Sequence, residues 1–161
     1  MRLIKNTGDD RVIDELRQVL SPDSSLDLAS PEFSMFAFAA ARELLEKLDH
    51  CRAVLPPMDH GIRGLTGSDS DRSFRNRLQI RWLASKYAEW IEKKVDVRAA
   101  MSLPQSVLIA GKSESGSQRV ITDNCAFTTE GLGITPGNQF GLIQCSEKIE
   151  ESTVLSDGEV C

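Results

Sequence analysis

The spacing of apolar residues along the chain predicts helices separated by short strands. Apolar residues recur three or four positions apart in the stretches 12–20, 33–48 and 74–91, and this spacing is typical of helices with one buried face. Short apolar runs at 26–29 and 51–55 separate these stretches and predict strands. The order helix, strand, helix, strand favours an α/β fold with a mixed, largely parallel sheet flanked by helices on both faces.

Two features of the helical stretches locate their boundaries and buried sides. Ser30 offers a capping hydroxyl, Pro31 suits the first helical position and Glu32 places a negative charge near the N-terminus, so the second helix is predicted to begin there. The third helix is predicted at 70–94, where a broad apolar stripe that includes Trp82 is expected to face inward.

The second half of the chain predicts mostly strands. Apolar or β-branched runs occur at 95–99, 104–110, 119–122 and 140–144. A polar turn at 113–116 is expected to join the second and third of these runs as a hairpin.

The chain is predicted to be one domain followed by a tail. Its 161 residues are 40% hydrophobic and 27% charged, which is typical of a globular protein with a buried core. The domain is expected to span residues 1–146. Residues 147–161 are polar and acidic, and Asp157-Gly158 would break any helix there, so this tail is expected to be disordered.

Several classes of function lack their usual signals in this sequence. No apolar run approaches the length of a membrane span and no signal peptide is recognisable, so a cytoplasmic location without membrane contact is expected. The four cysteines show no C-x-x-C spacing and the chain has two histidines, which predicts no structural metal site. No Walker or dinucleotide-binding glycine motif is present, and no cofactor is predicted.

Positive charge is concentrated in one part of an acidic chain. Residues 60–95 include eight basic and four acidic residues, whereas the whole chain has a net charge of -5. Guanidinium groups near a helix N-terminus can hold phosphates, so we expect contact with a nucleic-acid backbone. The residues concerned are Arg72, Arg75, Arg77 and Arg81. The alternative is a solvated helix face whose arginines pair with nearby acids.

The strand-loop-strand stretch at 119–144 resembles a motif of the phospholipase D family. In that family a late strand ends in Gly-Ser-x-Asn-Phe-Thr-x-x-Gly-Leu, and Phe127-Thr128-x-x-Gly131-Leu132 is similar to its second half. Three stretches in order resemble the phospholipase D-like N-terminal region of large bacterial superfamily-two helicases. They are RLIKNTGDDRVIDELRQVL, FRNRLQIRWLA and FTTEGLGITPGNQFGLIQ. The resemblance covers residues 1–145 and implies a phospholipase D-like fold with a helicase or ATPase core as partner.

The residues that catalyse the reaction in that family are replaced here. The family's Gly-Ser-x-Asn falls on residues 123–126, which are Asp-Asn-Cys-Ala, and its His-x-Lys falls near Gln105 and Val107. In the family the histidine attacks phosphorus, its partner histidine protonates the leaving oxygen, and the lysine and asparagine hold phosphate oxygens. Glutamine cannot make the attack at neutral pH, and valine cannot protonate the leaving oxygen. The resemblance therefore implies a degenerate active-site loop with no catalytic residue. Its positions are Gln105, Lys112, Asn124 and Thr128.

Three functions are compatible with this pattern. The preferred one is a catalytically silent phospholipase D-like module that binds nucleic acid or a protein partner for a DNA-dependent helicase or ATPase. The second is a phosphodiesterase or nuclease with a non-standard active site. The third is a protein-interaction domain that binds no nucleic acid.

Overall fold

The structure is a computed structural model that describes residues 1–57, 77–112, 117–136 and 142–147, with side chains omitted at 77–79 and 117. Three helices and seven strands are described. In chain order these are β1 (Arg2–Leu3), α1 (Val12–Val19), β2 (Ser25–Ala29), α2 (Met35–Leu45), β3 (His50–Leu55), α3 (Arg77–Lys94), β4 (Val95–Ala99), β5 (Ser106–Lys112), β6 (Ser117–Asp123) and β7 (Ile143–Ser146). The tail predicted at 147–161 lies outside the described residues from position 148 onward.

The strands form one mixed sheet in the order β1-β7-β6-β5-β2-β3-β4. This confirms the predicted α/β class with a mixed sheet. The prediction that the sheet is largely parallel is wrong, because only the β2–β3 and β3–β4 pairs are parallel while the other four described pairs are antiparallel. The β5–β6 pair is antiparallel because four residues join the two strands, whereas a parallel pair needs a crossover of a dozen or more.

One face of the sheet forms the hydrophobic core. In β2, Leu26 and Leu28 are buried, and the register places Leu28 between Ala53 of β3 and Leu108 of β5. Side chains of all three helices belong to the same buried cluster as these strand residues. The alternate positions, such as Asp27 and its neighbour Arg52, are outside this cluster. The prediction of helices on both faces is therefore not confirmed, since the described helices share a single core.

Helix α2 begins later than the sequence suggested. Ser34 is the N-cap, and its hydroxyl oxygen accepts the backbone N–H groups of Phe36 at 3.2 Å and Ala37 at 3.5 Å. Ser30, the predicted cap, instead accepts the backbone N–H of Phe127 at 2.9 Å. The predicted capping residue thus joins the end of β2 to the loop after β6.

Helix α3 packs on α2 and ends directly at β4. Trp90 is buried, and its indole N–H donates to the carbonyl oxygen of Leu45 at 3.2 Å, near the C-terminus of α2. The prediction that Trp82 faces inward is wrong, because 54% of this residue is exposed. The Arg42 guanidinium lies over the Trp82 ring, 5.2 Å from its centroid, and so this tryptophan lies between α2 and solvent.

Candidate functional site

The loop that follows β6 is fixed to the start of α2. Phe127 is fully buried and stacks on Phe33 with ring centroids 4.8 Å apart. Its carbonyl oxygen accepts the backbone N–H of Ser34 at 2.9 Å, and its own N–H donates to Ser30. Phe33 also stacks on Tyr87 of α3, 5.3 Å away. The phenylalanine of the family-like motif is therefore a core residue that connects this loop to two helices.

The Thr-x-x-Gly part of the motif forms a tight turn. The Thr128 hydroxyl oxygen accepts the backbone N–H of Gly131 at 3.0 Å, and Thr128 is 3% exposed. A β-carbon at position 131 would lie 2.1 Å from the backbone oxygen of Ala126, so only glycine fits there. The buried amide of Asn6 donates to the carbonyl oxygens of Glu130 and Gly131 at 3.1 and 3.0 Å. These residues give the loop one defined conformation.

A cavity of about 240 Å³ lies between this loop, the β2–α2 connection and the start of β5. Three of the four positions predicted for the degenerate active-site loop line it, namely Gln105, Asn124 and Thr128. The structure does not bring Lys112 to them, because Lys112 is at the other end of the seven-residue strand β5, about 20 Å along the chain direction. The other lining residues are Pro31, Glu32, Pro104, Ser106, Asp123, Ala126, Glu130 and Gly131.

The described lining of the cavity is acidic. Glu32, Asp123 and Glu130 contribute carboxylates, and no lysine, arginine or histidine is among the described residues that line it. Oδ2 of Asp123 is buried and has no hydrogen-bond partner in the described part of the protein. Asp123 also has a positive φ of 84°, which places its side chain at the exit of β6 in an unusual backbone conformation. Sequence reasoning missed Glu32 and Asp123 as site residues.

The cysteine that lies between the lining residues Asn124 and Ala126 is made unreactive by its surroundings. Cys125 is fully buried, and its thiol donates to the carbonyl oxygens of Ser106 at 3.7 Å and Ile121 at 3.5 Å. Burial, together with the negative charge of Asp123, raises the pKa of the Cys125 thiol to about 12. The thiol is therefore protonated at neutral pH and cannot act as a thiolate nucleophile.

The predicted phosphate-binding arginines are only partly within the described residues. Arg72 and Arg75 lie outside them, and Arg77 begins α3 without a described side chain. Arg81 is exposed and forms no ion pair with any described residue, next to the exposed Trp82. The structure therefore supports an exposed cation at one of the four positions.

Other basic residues of α3 support the alternative interpretation, a solvated helix face on which basic residues pair with nearby acids. Lys86 and Lys93 both contact Glu89, at 2.9 and 2.8 Å. These contacts, with the hydrogen bond from Lys93 as the largest cause, lower the pKa of the Glu89 carboxyl to about 2. Lys94 donates to the carbonyl oxygen of Leu48. Charge on this half of the helix is largely neutralised within the protein.

Neither a metal-binding cluster nor a membrane-spanning helix is found among the described residues. Among them, no group of three or more histidine, cysteine, aspartate or glutamate side chains is arranged to hold a metal ion. None of the helices in this part of the chain is both long and apolar enough to cross a membrane.

Comparison with known proteins identifies no relative. No protein-family model matches the sequence, and neither the curated proteins nor the solved structures gave a match.

Proposed function

We propose that this chain is a catalytically silent phospholipase D-like module that serves as an accessory domain of a cytoplasmic helicase or ATPase and binds nucleic acid. The motif resemblance at Phe127-Thr128-x-x-Gly131-Leu132 supports the family, and the three stretches that resemble the N-terminal region of superfamily-two helicases support the partner. In this proposal a second helical layer completes the phospholipase D-like fold on the sheet face outside the core.

The proposed absence of catalysis rests on which residues line the cavity. The phospholipase D reaction needs an imidazole nucleophile and cationic groups around a phosphate. The described lining instead has the amides of Gln105 and Asn124 and three carboxylates. Carboxylates repel a phosphodiester, and neither an amide nor the protonated Cys125 thiol attacks phosphorus at neutral pH. The described lining thus lacks the groups that the phospholipase D reaction requires.

Nucleic acid would then bind at the start of α3 and not in the cavity. The hypothesis places Arg72, Arg75, Arg77 and Arg81 against the phosphate backbone, without reading sequence. Arg81 supports this, because its guanidinium is exposed and unpaired among the described residues. The neighbouring Trp82 offers an exposed aromatic ring on which an unpaired base could stack.

Fluorescence anisotropy with labelled single-stranded and duplex DNA at several salt concentrations tests this function. Binding is expected to weaken steeply with salt, and each arginine replaced by alanine should flatten the log–log slope by about one unit. Arg17→Ala is the matched control, because Arg17 is 52% exposed on α1 and pairs with Asp14 outside the proposed surface. A folded quadruple alanine variant that binds DNA like the parent would contradict the proposed surface. If the parent binds no DNA at low salt, the protein-interaction alternative replaces this function.

A further inference from the structure

Strand β4 is an exposed edge of the sheet. It pairs with β3 on one side, and no other described strand pairs with it. Residues 96–99 are all exposed, and the apolar residue Val97 is 44% exposed. An edge strand offers unpaired backbone N–H and C=O groups to another strand, and natural proteins usually protect such an edge. The free edge of β4 is therefore a candidate surface for pairing with a strand of another molecule.

The backbone of β4 shows which residues face this free edge. Ala100 donates its N–H to the carbonyl oxygen of Leu55 at 2.9 Å, on the β3 side. Because the backbone groups of successive residues in a strand point to opposite sides, Asp96 and Arg98 also direct theirs toward β3. The intervening residues direct their N–H and C=O groups toward the free edge. These residues are Val95, Val97 and Ala99.

The two charged residues of β4 have opposite signs and lie on one face of the sheet. Asp96 and Arg98 are two positions apart, so their side chains share the face opposite the core. Asp96 lies opposite Arg52 of β3, whose Nε donates to Asp27 of β2 at 2.7 Å. Charge thus alternates across the three strands as negative, positive and negative. A strand added at the edge should place a positive charge opposite Asp96.

An antiparallel second copy of β4 meets this requirement. When Val97 pairs with Val97 of the second copy, Asp96 lies opposite Arg98 of that copy, and Arg98 lies opposite its Asp96. The edge-facing groups of Val97 then form a hydrogen-bonded pair, and the charged residues occupy the closer, non-hydrogen-bonded positions. Centring the pair on Asp96 or on Arg98 would place like charges opposite each other. The charges therefore select the register centred on Val97.

We propose that β4 pairs with β4 of a second copy of this chain across a two-fold axis at Val97. The pairing would join two seven-stranded sheets into one continuous sheet. Asp96 and Arg98 would form two symmetry-related ion pairs, and the exposed Val97 side chains would contact each other. The interface is one pair of five-residue strands, so the dimer should be weak and depend on concentration. This inference goes beyond the proposed function and is independent of DNA binding.

Sedimentation velocity of the whole chain, from micromolar to millimolar concentration, tests the pairing. The parent should convert reversibly from monomer to dimer over this range. Asp96→Arg and Arg98→Asp each place like charges opposite each other, so each should raise the dimer Kd at least about tenfold. An equimolar mixture of the two variants should recover the dimer, because each arginine then faces an aspartate. Glu43→Arg is the matched control, since it changes the net charge as Asp96→Arg does at an exposed position of α2.

Val97→Pro tests the backbone contribution. Proline lacks the N–H that Val97 directs to the free edge, and it is tolerated on edge strands, so this variant should be folded and monomeric. The melting temperature of each variant in its monomeric range checks that it is folded. A parent that stays monomeric at millimolar concentration would overturn the proposal. It would equally be overturned by a dimer that neither Val97→Pro nor the charge reversals weaken, or by a mixture of Asp96→Arg and Arg98→Asp that stays monomeric.

Discussion

Replacing the buried carboxylate of Glu15 should destabilise the fold, and the size of the loss measures how much its ion pairs contribute. Its side chain is 4% exposed and forms ion pairs with Arg2 of β1 and Arg119 of β6. Cys145 of β7 lies 3.9 Å from the same carboxylate. Arg119 also contacts Glu147 at 3.1 Å. One carboxylate on α1 thus joins three neighbouring strands at one end of the sheet.

Glu15→Gln keeps the shape of the side chain and removes the charge that compensates these arginines. Removing one partner of a buried ion pair costs about 3–5 kcal/mol, because the remaining charge stays partly desolvated. Arg2 is 48% exposed and can rehydrate, and Arg119 retains Glu147, so we expect a loss at or just below the lower end of that range, about 2–3 kcal/mol. Against a typical unfolding free energy of about 5–15 kcal/mol, this loss is large.

Urea denaturation followed by tryptophan fluorescence measures this effect, since Trp90 is buried in the parent. The matched control is Asp14→Asn, the adjacent carboxylate on α1, which pairs with Arg11 and Arg17 at the surface. This control should lose less than about 1 kcal/mol. Equal losses in the Glu15 and Asp14 variants would refute the inference that burial makes the Glu15 network important. An Arg119→Met, Glu15→Gln double variant should lose less than the sum of the single losses.

Three further predictions follow from single sites. Gly131→Ala should lower the free energy of unfolding by more than about 2 kcal/mol, because its β-carbon would overlap a backbone oxygen; an unchanged melting temperature would contradict the turn geometry. In a Cys161→Ser background, Cys125 should react with iodoacetamide at pH 8 only after unfolding, since its thiol pKa is raised to about 12, and rapid labelling of Cys125 itself in the folded protein, located by peptide mass mapping because Cys51 and Cys145 are also free, would contradict its burial. The pKa of Glu89, about 2 in the parent, should rise toward 4.5 in a Lys93→Met variant, as NMR titration can show; its contribution to stability is present above pH 4.5 and is lost as the pH falls toward 2. An unshifted Glu89 titration would show that the ion pair is not maintained in solution.

Local patterns in the sequence predicted most elements and the β5–β6 hairpin, but not how the other strands pair. Apolar spacing located all three helices, and the strand predicted at 95–99 matches β4. Alternation of buried residues does not specify which strands are neighbours or their direction, so the parallel share of the sheet was overestimated. The exposure of Trp82 was missed for a related reason. Apolar spacing shows which residues share one face of α3. How much of that face α2 covers depends on how the two helices pack.

Local sequence patterns were also insufficient to predict all the residues that line the cavity. The motif resemblance drew attention to Asn124 and Thr128, which do line the cavity with Gln105. Glu32 lies about 90 positions away from Asp123, and in the sequence it could be read only as a helix-start residue. Lys112 was assigned to the site by counting along the family's motif, whereas β5 continues through that position. Residues from separate segments meet only through the sheet register, which local spacing does not specify.

The proposed function requires that the cavity after β6 has no phosphodiesterase activity. Hydrolysis of bis(p-nitrophenyl) phosphate by the purified chain, with and without divalent metal ions, tests it most directly. We predict no turnover above the buffer rate under either condition, because the described cavity lacks an imidazole nucleophile. Turnover that persists through purification and is lost in Gln105→Ala or Asn124→Ala would contradict the claim and establish the nuclease alternative.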